Sequence, residues 1–269
     1  MQSKFKKFLS FISGISRRPS LINLVTNSNE VLKRNFLQKY PNILFLPQIE
    51  IKDLADKPLT EKIESFLLDG SSLITDLHLL MTLANRENCR SYLEIGTWRG
   101  ESAYNVAKIL DECVTVNLSA QEMKEMGWNP KYAEQHGILS GKNPGIQHLE
   151  ANTKEFDFSS LQKKYDLIFI DGDHSYEMVL NDTRKVFTDL VHENSVVVWH
   201  DYAYNPQKVR YEVFKAILDG VGKQNLSFLY HPKNTICAVF YKGDIPSSVF
   251  DEMEMPTKIF EISVEEKSF

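Results

Sequence analysis

Apolar and polar positions follow two regimes along the chain, with the change near residue 60. Before it, apolar residues are broken up by turn signals at Arg18-Pro19, Tyr40-Pro41, Leu46-Pro47 and Lys57-Pro58. Over residues 59–85 they recur at helical spacing through Ile63, Phe66, Leu67, Leu73, Ile74, Leu77, Leu80, Met81 and Leu83, with a break at Gly70. After that, short apolar runs alternate with amphipathic stretches. Residues 91–95, 113–118, 146–150, 165–170 and 195–199 read as strands, and 101–110, 121–135, 177–190 and 207–220 as helices. The run at 165–170, YDLIFI, is the kind of near-continuous apolar segment a strand needs when both its faces are covered. Two last runs, 226–230 and 235–241, are joined by His231-Pro232-Lys233-Asn234 and read as a hairpin.

Strands alternating with helices predict an α/β fold: a doubly wound, mostly parallel sheet of seven strands, with one reversed strand near the edge. The expected organisation is an N-terminal extension over 1–60, a sheet domain over 61–244 and a tail over 245–269. The extension carries apolar residues to bury, among them Phe36, Leu37, Ile43, Leu44, Phe45 and Leu46. It is expected to serve as a lid or as a subunit contact in a homo-oligomer.

Composition narrows the class. A chain of 269 residues with 42% hydrophobic and 25% charged positions can bury a substantial core. Its net charge of −5 argues against a nucleic-acid partner. Cys89, Cys113 and Cys237 lie far apart and form no CxxC pair, so a reducing cytoplasm is expected. At the N-terminus Lys4, Lys6 and Lys7 precede Phe8-Leu9-Ser10-Phe11-Ile12, and Arg17-Arg18 follow. The apolar run is too short for a bilayer span, and basic residues stand where a signal peptide has small ones. One reading is a basic amphipathic helix touching anionic lipid. The favoured reading packs it on its own domain or on a partner subunit.

In a doubly wound sheet, ligands bind beyond the carboxyl ends of the strands. After the first strand comes Glu94-Ile95-Gly96-Thr97-Trp98-Arg99-Gly100-Glu101-Ser102. A dinucleotide fingerprint would need glycine where Trp98 stands, which counts against a nucleotide-dependent oxidoreductase. The pattern ExGxxxG resembles the first motif of class I S-adenosylmethionine (SAM)-dependent methyltransferases, which have a Rossmann-like fold. The resemblance implies SAM contacts from Glu94, Gly96, Thr97, Trp98, Gly100 and Ser102. It also implies ribose contacts from Asn117 and Leu118, where the family usually has an acidic residue, and adenine contacts near Asn152 and Thr153. Read alone, Asn152 suits a turn or helix cap equally well.

The stretch YDLIFIDGDHSYEMVLNDTRKVF and the later VVVWHDY resemble the branch that includes macrocin-type sugar O-methyltransferases and, more distantly, the catechol and caffeoyl-CoA O-methyltransferases. The likeness spans residues 73–242 and implies Asp171, His200 and Asp201 as ligands of a divalent metal beside the acceptor hydroxyl, with Asp171 also near SAM. Methyl transfer needs an acceptor oxygen held in line and relieved of its proton, by a metal or by a general base. Imidazole at position 200 favours Mn²⁺ or Fe²⁺ over Mg²⁺ as ligand, or else His200 is itself the base. His174 is the other candidate base, or a histidine that ties its loop. The implied activity is O-methylation of a sugar or polar small molecule. The alternative is a catalytically silent SAM-binding protein.

Overall fold

The computed structural model describes residues 4–26 and 28–269. Its strands are β1 Gln48–Ile49, β2 Ser91–Ile95, β3 Glu112–Asn117, β4 Ile146–Glu150, β5 Leu167–Ile170, β6 Val196–Trp199, β7 Ala203–Asn205, β8 Lys208–Val209, β9 Leu229–Pro232 and β10 Ala238–Phe240. Its helices are α1 Lys4–Arg17, α2 Asn23–Thr26, α3 Asn29–Lys39, α4 Ile74–Ala84, α5 Glu101–Val106, α6 Ala120–Glu125, α7 Pro130–Ala133, α8 Tyr176–Lys185 and α9 Tyr211–Val221.

Eight strands join in the order β1-β9-β10-β6-β5-β2-β3-β4, and β10 alone runs against its neighbours. Seven of these are the strands expected from the apolar runs. The eighth, β1, adds to the edge beside β9. The reversed strand lies inside that edge, between β6 and β9. Strand order reverses between β2 and β5, which opens a crevice at their carboxyl ends.

Side chains that alternate along each strand feed two cores. Leu93, Ile95, Ile168, Ile170, Val197 and Trp199 meet α8, α9 and α3 on one face, while Tyr92, Leu167, Phe169, Val196 and Val198 meet α4 and α5 on the other. With both faces covered, these strands have no use for polar alternation.

The segment before residue 60 supplies part of the packed body. Phe36 is fully buried and stacks on Phe214 with ring centroids 4.7 Å apart, and Leu46, Ile49, Ile51 and Leu54 are also buried. Residues 60–73 form no helix, and only Ile74–Ala84 of that region is helical. The segment lies irregularly against α5, where Asn105 accepts from Glu64 N at 2.9 Å and donates to Glu64 O at 2.7 Å. Glu101 similarly accepts from Phe66 N and Ser65 Oγ. These side chains satisfy the backbone that a helix would otherwise have satisfied internally. On this single chain α1 leaves its apolar side open: Phe8, Leu9, Phe11 and Ile12 keep 44–58% of their surface exposed. Among the described residues no helix is long and apolar enough to cross a membrane.

Candidate functional site

The crevice at the switch point is lined by the turns after β2, β5 and β6. Their backbones are stitched together: Asp171 N donates to Ile95 O at 2.8 Å, and His200 N to Ile170 O at 3.0 Å. The turn after β2 begins at Gly96 with φ +92° and closes at Gly100 with φ +79°, the residue before α5. A Cβ on Gly100 would lie 2.1 Å from Ser140 Oγ, so the loop carrying Ser140 sets that glycine. Trp98 also holds positive φ, +43°. Its ring stacks on Tyr132 at 4.1 Å, with the Arg99 guanidinium 4.6 Å from its centroid.

Polar groups of this turn remain available. Glu94 is fully buried and its Oε2 accepts from Tyr92 Oη, yet its Oε1 has no partner. Burial pushes this carboxyl up to about 8. Thr97 Oγ1 and Trp98 Nε1 are likewise buried and unpartnered. A ligand carrying an ammonium group fits such a carboxylate, because it would restore the charge that burial opposes.

Residues 117–153 contribute unevenly. Asn117 Oδ1 faces Thr97 N at 3.4 Å, and its amide donates to Leu118 O and to His136 Nδ1, both at 2.9 Å. His136 was not singled out from the sequence; burial holds it neutral, with its pKa down at about 4, and its Nε2 is buried without a partner. Asn152 spends its Oδ1 on Lys154 N at 3.1 Å, which is its turn reading. Thr153 is tied to α8, its carbonyl accepting from Asn181 Nδ2 and Lys185 Nζ.

On the other side of the crevice the structure gathers Asp171, His200, Asp201 and His174. His200 Nδ1 lies 3.0 Å from Asp171 Oδ1 and 3.2 Å from Asp201 Oδ2, and its Nε2 lies 3.3 Å from Asp76 Oδ2. Burial opposes charge on this imidazole, but three carboxylates outweigh it and hold its pKa well above the ordinary histidine value. Burial raises the Asp171 carboxyl against the pull of His200. Asp201 is held well below the usual carboxylate range: burial works against it, but hydrogen bonds from His174 and His200 prevail. His174 Nδ1 meets Asp201 Oδ2 at 3.0 Å, which raises its pKa, and nearly half of its side chain is exposed. Asp201 sits at φ +55°, a conformation that non-glycine residues adopt at a cost and that collects at functional sites.

Asp76 is the residue that sequence reasoning missed. It comes from α4, is fully buried, and accepts from Leu73 N and Ile236 N, both at 3.0 Å. The geometry also separates the two histidines. Both ring nitrogens of His200 face carboxylates, so it is a poor proton acceptor, whereas Asp201 engages only Nδ1 of His174. Both histidines expected as candidate bases thus lie in the cluster, with different surroundings.

The same cluster passes a test for a metal site. Single ligand atoms of Asp171, His200 and Asp201 lie within 4.8 Å of one another. Asp76 stands behind His200 as the carboxylate that commonly orients a metal-bound imidazole.

Residues 93–202 match the family model described as a methyltransferase domain. No match is found among curated proteins. Solved structures similar to this chain include an O-methyltransferase from Bacillus cereus in complex with SAH, at 14% identity and TM-score 0.47, covering 65% of this chain and 84% of that one. Another is the O-methyltransferase TomG from Streptomyces achromogenes in complex with SAM, at 17% identity and TM-score 0.41, covering 64% of this chain and 82% of that one.

Proposed function

We propose that this chain, a methyltransferase by the domain it carries over residues 93–202, moves a methyl group from SAM to a hydroxyl of a sugar or polar small molecule. The observation that carries the reading is a juxtaposition. A buried carboxylate with a free oxygen, Glu94, sits beside a cluster able to take a proton from an acceptor, Asp171, His174, His200 and Asp201.

SAM supplies an already activated methyl. The Glu94 carboxylate faces its ammonium, with Gly96, Thr97, Trp98, Gly100 and Ser102 forming the turn around it. Asn117, with Leu118, stands at the ribose, and the 152–153 turn lies toward the adenine. Removing the charge at Glu94 while keeping its shape isolates this contact. Glu94→Gln is expected to weaken SAM binding at least about tenfold, in the range of a lost charge-assisted hydrogen bond. Calorimetric titration with SAM measures it, and wild-type affinity in a folded variant would move the ammonium elsewhere.

At the acceptor end, Asp201 holds His174 through Nδ1 and leaves Nε2 as the atom that receives the hydroxyl proton. A divalent ion held by Asp171, His200 and Asp201 would lower the pKa of that hydroxyl, with His200 giving up its Nδ1 proton to become a ligand. Turnover with a panel of hydroxylated acceptors tests the activity itself, and SAM binding without product would indicate a catalytically silent protein. Excess EDTA is expected to remove turnover, and Mn²⁺ to restore it better than Mg²⁺, because imidazole is a poor Mg²⁺ ligand. Full turnover in chelator would leave the His174–Asp201 pair as the whole of the proton-accepting machinery.

A further inference from the structure

We propose that α1 is a docking helix for anionic lipid surfaces. Five cationic and no acidic side chains precede Glu30, although the chain as a whole is net −5. At helical spacing Phe8, Leu9, Phe11, Ile12 and Ile15 share one side of α1. Lys7 borders that side on one flank, Lys6 and Arg17 stand toward the other, and Lys4 falls among the apolar positions, a mixture of cations and apolar residues suited to a membrane interface.

The domain does not take up this apolar side. Exposure is 58% for Phe8, 51% for Leu9, 44% for Phe11 and 49% for Ile12. After it the chain is held to the packed body, where Asn29 donates to Val209 O at 2.9 Å and accepts from Tyr211 N at 3.1 Å, and where Phe36 enters the core. The exposed apolar side chains of α1 thus precede the segment that anchors to the domain. Four large exposed apolar side chains with cations among and beside them match a surface that is apolar below and negative above. An interfacial helix of this kind buries its apolar side near the headgroup boundary while its cations meet lipid phosphates.

The occupant we commit to is the anionic bilayer. Nucleic acid would use the cations but leave the aromatic side unexplained, and a second copy of α1 would bring like charges together. The test uses the full chain and vesicles of phosphatidylcholine, with or without roughly one-third phosphatidylglycerol, in a sedimentation assay. Wild-type protein is expected to bind the anionic vesicles at least about tenfold more tightly than the neutral ones, and to release them as salt rises.

The double variant F8S/F11S changes only exposed side chains, so the fold and SAM binding should persist. It is expected to lose vesicle affinity by about tenfold or more. The proposal is overturned if wild type ignores both vesicles, or if the double variant binds as wild type does. It is also overturned if light scattering shows that the apolar side instead pairs two copies that no longer bind lipid.

Discussion

Gly96→Ala is expected to cost the chain stability and its cofactor together. At φ +92° an alanine is strained, by about 1–3 kcal/mol for a residue held in a sparsely populated region. The added Cβ would also lie 2.2 Å from Asp171 O and 2.7 Å from Gly172 Cα. Both are backbone atoms at the end of a central strand, so relief requires moving β5 away from β2, an overpacking cost of about 1–3 kcal/mol more. The displaced peptide is that of Asp171, whose carboxylate meets His200. A lower urea midpoint and a loss of SAM affinity of about a hundredfold are expected, the latter a judgement from the size of a misplaced binding turn. Wild-type midpoint and affinity would show that the β2–β5 crossing has room the structure does not display. The family resemblance implied Gly96 as a SAM contact; the structure adds the backbone of the neighbouring strand as a reason for glycine, which only the topology brings there.

That glycine is typical of what the sequence could and could not convey. Strands β2 and β4 match the apolar runs read at 91–95 and 146–150 residue for residue, because each run is bounded by turn residues and sits inside a clear αβ alternation. β1, at two residues, and the β7–β8 hairpin are too short to carry a period, and neither was anticipated. Residues 60–73 misled for a different reason. Their apolar residues have helical spacing, but the backbone is claimed by Asn105 and Glu101, side chains whose reach toward this segment has no local signature.

The site divides in the same way. Asp171, His200 and Asp201 come together as the family resemblance implied, and His174 joins them through Asp201. Asp76 stayed hidden because it lies 124 residues from the histidine it faces. One hint was present, since it is the only acidic residue in the mostly apolar α4, and a carboxylate among buried residues requires partners. His136 reached Asn117 from a helical stretch broken by Gly127 and Pro130, where periodicity has little to say.

His200→Ala should cost the site much of its stability, and the pH dependence of that loss identifies the cause. Removing the imidazole leaves Asp76, Asp171 and Asp201 facing a common space with no cation between them. Breaking a buried ion pair by deleting one partner typically costs about 3–5 kcal/mol. His200 has a raised pKa, so its contribution is complete below the unfolded value of about 6.5 and fades as pH rises through the raised folded value. Asp201 has a lowered pKa, so its contribution is complete above the unfolded value of about 3.9 and fades as pH falls through the lowered folded value. The difference between wild type and variant should therefore be greatest between about pH 4 and 6.5, and should narrow on the alkaline side. Urea unfolding at a series of pH values measures it. A variant within about 0.5 kcal/mol of wild type throughout that window, the range of an ordinary surface substitution, would mean that the imidazole carries no charge between those carboxylates.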